Sequence, residues 1–154
     1  MVRLSDLPPD EAQHMREQEC EPFATSPFVS GPPLTERRVA LITTAGLHLR
    51  DQPAWQLGDA GYRVFPGDID ANQLVMGHVS VNFDRTGFQQ DVNVVFPIER
   101  LRAMQANGEV GSVANFHYSL MGATATPQAL EPTAAELAGM LHADAVNAVV
   151  LLPV

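Results

Sequence analysis

Apolar residues along this chain gather into a few short blocks separated by long polar, turn-rich stretches. Arg38-Val39-Ala40-Leu41-Ile42-Thr43-Thr44 is almost unbroken in its apolar character and is closed by Gly46. Such a run, too short for a helix and rich in β-branched residues, predicts a strand covered on both faces. The terminal block Ala148-Val149-Val150-Leu151-Leu152-Pro153-Val154 has the same character and predicts a second buried strand. Between them the spacing predicts a brief strand over Tyr62–Phe65, another over Leu74–Val81 and another over Gly111–Leu120. Val94-Val95-Phe96 reads as a strand-like run entering a helix at Pro97, with Ile98, Leu101 and Met104 at helical spacing and Asn107-Gly108 as the stop. Leu130–Ala143 carries the strongest helical pattern, with Leu137, Met140 and Leu141 on one face. Helix followed by buried strand, together with an opening buried strand, argues for an α/β fold with a mostly parallel sheet and helices on its faces.

Before residue 36 the pattern dissolves. Pro8-Pro9, Pro22, Pro27 and Pro32-Pro33 punctuate the first stretch, which reads as a proline-rich arm over 1–35, with the α/β domain over 36–154. A short helix between Asp10 and Glu19, capped by Asp10, fits inside the arm. The final apolar block runs to Val154 without a polar tail, the pattern of an incomplete, truncated domain.

Composition narrows the function classes. The net charge is -9, and all nine cations are arginines. An acidic chain repels phosphate backbones, and its longest cationic run is Arg37-Arg38, so nucleic acid is a poor partner. The preference for arginine reads as compositional bias rather than mechanism. No apolar stretch approaches the roughly 18 residues needed to span a bilayer, and the first twenty residues have no signal-peptide core, which together predict a cytoplasmic protein. The single cysteine, Cys20, lies among Glu17, Glu19 and Glu21, which raise a thiol pKa and make it a poor nucleophile.

Few motifs carry chemistry. No phosphate-binding glycine loop or serine nucleophile elbow is present. Asp68-Ile69-Asp70-Ala71-Asn72 opens like a calcium loop, but Gln73 and Val79 occupy the positions that need glycine and glutamate. His48, His78 and His117 lack zinc-ligand spacing, and no metal is expected. The segment Phe83–Asn93 concentrates Asp84, Arg85, Asp91 and Asn93 just ahead of an apolar run and a helix, where open α/β sheets bind ligands. The competing reading is a structural loop in which Asp84 and Asp91 cap backbone N–H groups.

Arg38–Gly46 with His48-Leu49, Tyr62–Asp68, Gly77-His78-Val79, Thr86-Gly87-Phe88, Asp91–Leu101, His117–Gly122 and Val149–Val154 form a series of blocks along the chain. Taken in that order, they resemble the selenoprotein B family of the glycine, sarcosine, betaine and D-proline reductases. In that family the last block runs into a selenocysteine or cysteine, then a proline and a Cys-His pair. The resemblance implies a component of an amino-acid reductase whose selenol or thiol attacks the substrate carbon while the C–N bond is cleaved reductively. It further implies a partner subunit whose pyruvoyl group activates the amino group as an imine, a dithiol reductant, and a small amino-acid-like substrate; no cofactor is expected on this chain, and there is room for a homo-oligomer. On that basis His78, Asp84 and His117 are candidates for polar contact or proton transfer, and Thr43, Thr44, Gly46, Arg85, Asp91, Asn93 and Tyr118 for ligand binding. The expected nucleophile is absent from the 154 residues. One explanation is a UGA codon read as stop after Val154. Another is a short, non-catalytic ligand-binding or subunit-assembly module of the same fold, and a third is an unrelated thiol enzyme using Cys20.

Overall fold

Strand β1, Arg38–Thr43, is the axis of the sheet, because strands lie along both of its edges. The computed structural model describes residues 3–17, 24–80, 85–123 and 126–154, so Cys20, Val81 and Asp84 lie outside the described residues. The chain separates into two compact units, Met1–Ser30 and Gly31–Val154. The first contains helix α1, Pro9–Glu17. It begins at Pro9, whose fixed φ suits an opening turn, so Asp10 lies inside the first turn instead of capping it.

The second unit is α/β, with a mostly parallel five-stranded sheet and a separate antiparallel pair formed by β2, Leu47–Leu49, and β4, Leu74–Met76. β7, Ala148–Leu152, runs parallel to β1 along its whole length. On the other side of β1 stand β5, Ser112–Val113, and β6, Phe116–Leu120, both parallel to it. β3, Tyr62–Pro66, closes that side antiparallel to β6.

The alternation along β1 explains its apolar run. Val39 and Leu41 face one layer, where Ile98 and Leu101 of helix α3, Ile98–Ala106, meet Phe65, Val95 and Phe96. Ile42 faces the other, where helix α4, Pro127–Ala143, presents Leu130, Leu137, Met140 and Leu141 to Tyr118 and Leu120. A strand with a helix over each face cannot carry polar side chains cheaply. Pro97 occupies the N-cap position of α3, and Gly108, at φ 74°, follows its end. α4 starts earlier than its hydrophobic pattern indicates: Thr126 caps it by accepting the Ala129 N–H at 3.3 Å, Pro127 opens it, and Pro132 falls in its interior.

Four sequence expectations change. Gly111–Leu120 is two strands, because the β1 partner advances by five residues, Val113 to Tyr118, while β1 advances by three, Val39 to Ile42. Ala114-Asn115 is the resulting bulge. Val94-Val95-Phe96 is no strand: Val92–Val94 is a 3-10 turn, and Val95 and Phe96 plug the core beneath the sheet. The strand expected over Leu74–Val81 stops at Met76. β7 is not buried, since Val149, Val150 and Leu151 are all exposed on a sheet edge. The polar segment between β4 and α3 also contains an unforeseen short helix, α2, Thr86–Gln90.

The bulge is pinned by a partly buried ion pair. Arg38 Nη2 meets Asp144 Oδ1 at 2.6 Å, with the Asp144 side chain only 9% exposed. The same carboxylate accepts the Asn115 backbone N–H and the Asn115 side-chain amide, both at 2.7 Å. Burial pushes the Asp144 carboxyl up, but the Arg38 and backbone hydrogen bonds outweigh it and hold the group below the usual carboxylate range. Removing one member of such a pair strands the other charge. Asp144→Ala is therefore expected to cost about 3 kcal/mol in urea unfolding. Arg100→Ala, which removes only an exposed ion pair with Asp91 at 3.4 Å, should cost under about 1 kcal/mol.

Candidate functional site at the carboxyl edge of the sheet

The parallel strands end at one edge, and four chain segments are tied together there. The Thr44 N–H donates to the Leu152 carbonyl at 3.0 Å, and the Thr44 carbonyl accepts the Gly122 N–H at 3.0 Å. Gly46 donates to Leu120 and accepts from Gly77, both at 2.9 Å. The ends of β1, β6 and β7 and the segment after β4 thus converge on 43–46.

The two threonines act differently. Thr43 is fully buried, and its hydroxyl accepts the Ala45 N–H at 3.2 Å, turning the chain out of the strand. Thr44 reaches across to the end of β7, where its Oγ1 accepts the Val154 N–H at 2.8 Å. Gly46 sits at φ 61°, and a Cβ there would approach the Met121 terminal methyl at 2.4 Å and the His78 backbone at 3.1 Å. Only glycine permits this close approach without rearrangement.

His78 is buried beside that turn, and its Nδ1 accepts the Ser80 N–H at 3.2 Å. An accepting Nδ1 places the proton of the neutral ring on Nε2. Burial first, and then the charge of Arg85, pull its pKa below the ordinary histidine value, so the ring is neutral at pH 7. Arg85 holds the segment by donating to the His78 carbonyl at 2.5 Å and the Ser80 carbonyl at 3.3 Å. Thr43, Thr44, Gly46, His78 and Arg85 are therefore brought together.

The other candidates are elsewhere. Asp84 lies outside the described residues. Asp91 caps a turn, accepting the Asn93 backbone and side-chain N–H groups at 2.9 and 2.7 Å, and these bonds hold its carboxyl below the usual range. Asn93 also donates to Glu99 at 2.8 Å. Asp91 and Glu99, but not Asn93, border a cavity of about 360 Å³ with Arg50, Asn72 and Phe88. Tyr118 faces α4, edge-on to Tyr62 at 6.3 Å between centroids, and lines an apolar cavity of about 360 Å³ with Val64 and Met140. Asp70 caps its own turn through Asn72, and among the described residues no group of His, Cys, Asp or Glu is arranged to hold a metal ion.

His117 lies inside the sheet. It is fully buried, and its Nδ1 accepts the Leu41 N–H at 3.0 Å, filling the gap that the bulge opens in the ladder. Its ring stands edge-on to Phe96 at 5.8 Å, and among the described residues its Nε2 has no hydrogen-bond partner. Two residues on, buried Ser119 does the same work, accepting the Leu47 N–H at 2.8 Å. Sequence reasoning missed Ser119. The signal was there in two polar residues, 117 and 119, on one face of an otherwise buried strand.

Residues 24–153 match the family model described as glycine/sarcosine/betaine reductase selenoprotein B. The D-proline reductase subunit gamma of Acetoanaerobium sticklandii is 32% identical over 120 residues, covering 77% of this chain and 49% of that protein. The betaine reductase complex component B subunit beta of Peptoclostridium acidaminophilum is 26% identical over 122 residues, covering 77% of this chain and 28% of that protein. The chain thus spans about half of one relative and little more than a quarter of the other. No solved structure matches it.

Burial, followed by the charge of Arg102, lowers the His117 pKa from 6.5 to about 4. Between those values the unfolded chain binds a proton that the folded chain refuses, so stability is complete above pH 6.5 and falls as the pH drops toward 4. The loss is on the order of 3 kcal/mol. His117→Asn, which keeps an oxygen to accept the Leu41 N–H, should flatten the pH dependence over that window. Urea unfolding at both ends of the window tests this, and equal slopes for the two proteins would refute it.

Proposed function

The chain belongs to the selenoprotein B family of the glycine, sarcosine and betaine reductases, and on that premise we propose that it forms the sheet-edge scaffold of an amino-acid reductase component. The observation that carries this reading is the Thr44 hydroxyl bonded to the Val154 N–H at 2.8 Å. It fixes the end of β7 at the carboxyl edge of a parallel sheet, where α/β enzymes place their reacting groups. By family resemblance, a selenol or thiol nucleophile follows Val154, and Thr44 is the residue that positions it.

The reaction is reductive cleavage of the C–N bond of a small amino acid or betaine. A selenolate or thiolate attacks the carbon, forming a C–Se or C–S bond as the C–N electron pair leaves with nitrogen. One thiolate of a dithiol then attacks that selenium or sulfur, the C–Se or C–S pair goes to carbon with a proton, and the second thiol releases the nucleophile as the dithiol becomes a disulfide. A pyruvoyl group on a partner subunit supplies the electrophilic activation of the amino nitrogen. In this scheme neutral His78 makes a polar contact to the substrate, and Arg85 holds the His78 segment in place. Both relatives carry names of reductase-complex subunits, which supports the assignment to a multi-subunit enzyme.

A second reading is favoured by one observation, that the sequence holds a single cysteine, Cys20, and none within residues 36–154. The chain then serves as a non-catalytic binding or assembly module.

Two measurements separate the readings. As the family resemblance implies, the gene is expected to encode, in frame after Val154, a selenocysteine or cysteine followed by a proline and a Cys-His pair; a gene without that longer frame favours the module. The product of that longer frame, combined with its pyruvoyl partner, should consume D-proline, glycine or betaine only when a dithiol is present. Thr44→Val should lower kcat about tenfold or more with KM little changed, and Thr44→Ser should restore it. Turnover that is absent, or indifferent to Thr44, would overturn the reductase assignment.

A further inference from the structure

β7 consists of Ala148-Val149-Val150-Leu151-Leu152, without a charged or polar side chain. Along one edge it is paired with β1 at every residue, and no described strand pairs with the other edge. The Leu152 carbonyl faces β1, where it accepts the Thr44 N–H. Alternation therefore turns the N–H and C=O groups of Val149 and Leu151 outward, toward the open edge. The side chains of this strand are exposed on both faces of the sheet: Val149 is 38% exposed, Val150 41% and Leu151 68%. Edges that stay open in natural sheets are guarded by charge, proline or a bulge, and β7 has none of these within its span.

The strand order says what belongs there. β6, β1 and β7 are parallel with β1 in the middle, which is the order 2-1-3 of a doubly wound sheet. In that topology the fourth strand adds to the free side of the third, parallel to it. The D-proline reductase subunit gamma has the polypeptide to supply such a strand, since this chain matches 49% of its length.

We propose that the outer edge of β7 is a docking surface for a parallel β-strand from polypeptide equivalent to the half of that gamma subunit which this chain does not match. The incoming strand takes up the outward N–H and C=O groups of Val149 and Leu151 and covers the three exposed side chains. The inference rests on family membership and the sheet, not on reductase chemistry.

The chain is co-produced with the unmatched half of the Acetoanaerobium sticklandii subunit, the complex is isolated through a tag on that half, and amide hydrogen exchange is read residue by residue. In the chain alone, Val149 and Leu151 should exchange rapidly while Val150 and Leu152, bonded to β1, are slow. In the complex, Val149 and Leu151 should slow at least tenfold. Leu151→Lys should leave the thermal unfolding of the chain unchanged and reduce recovery of the complex at least tenfold. Failure to recover a complex, a complex without protection of Val149 and Leu151, or a dimer of the chain alone with those amides already protected would each overturn the proposal. Because no turnover is read, reductase activity and strand docking can fail independently.

Discussion

Every backbone group of β1 has to find a partner, because strands stand on both sides of it and apolar layers cover both faces. That requirement shapes most of the second unit. On the β7 side the ladder is regular from Val39 to Thr43. On the β5–β6 side it is broken by the Ala114-Asn115 bulge, and an unpaired buried N–H at Leu41 would cost about 1–3 kcal/mol. His117 meets it with an imidazole nitrogen, and Arg38 and Asp144 fix the bulged backbone from the side. Where β1 leaves the sheet, Thr43 and Thr44 take over the same accounting with their hydroxyls. The polar side chains in and at the end of the sheet are thus spent on main-chain groups.

Much of this framework was legible in the residues. β1, β3, α3 and α4 follow from apolar runs and helical spacing, because both faces of β1 and one face of each helix are buried. What escaped depended on contacts distant in sequence. The bulge is defined by His117 reaching Leu41, and nothing local to Gly111–Leu120 announces it. Val94-Val95-Phe96 shows that an apolar run signals burial and not conformation: Phe96 lies under Phe65 and His117 as a plug, with edge-on rings at 5.7 and 5.8 Å. β7 shows the converse, since its composition asks for more cover than the described residues provide.

The candidate site divides along the same line. Thr43, Thr44 and Gly46 could be placed from sequence because a strand end followed by glycine fixes where the chain turns out of the sheet. Asp91 and Asn93 looked like ligand contacts by their density of polar atoms, yet they bond to each other and to Arg100 and Glu99. A cluster of polar residues in a loop has first to satisfy its own backbone, and only the remainder is free for chemistry.

The arginines also have a job that composition concealed. Arg37 grips the carbonyls of Pro32 and Asn147, Arg38 those of Asp144 and Val113, Arg85 those of His78 and Ser80, and Arg102 those of Gly67 and Ile69. A planar guanidinium with five donors can bridge two main-chain oxygens, whereas an ammonium is a single point. Each grip is indifferent to the side chain of the residue it holds. Drift in sequence should therefore be lopsided: an exposed gripped position such as Pro32 can change identity while its loop stays in place, and the four arginines cannot. A lineage built this way can lose most of its recognisable residues and keep its loop geometry, so its ancestry is better traced through a handful of guanidinium positions than through overall likeness.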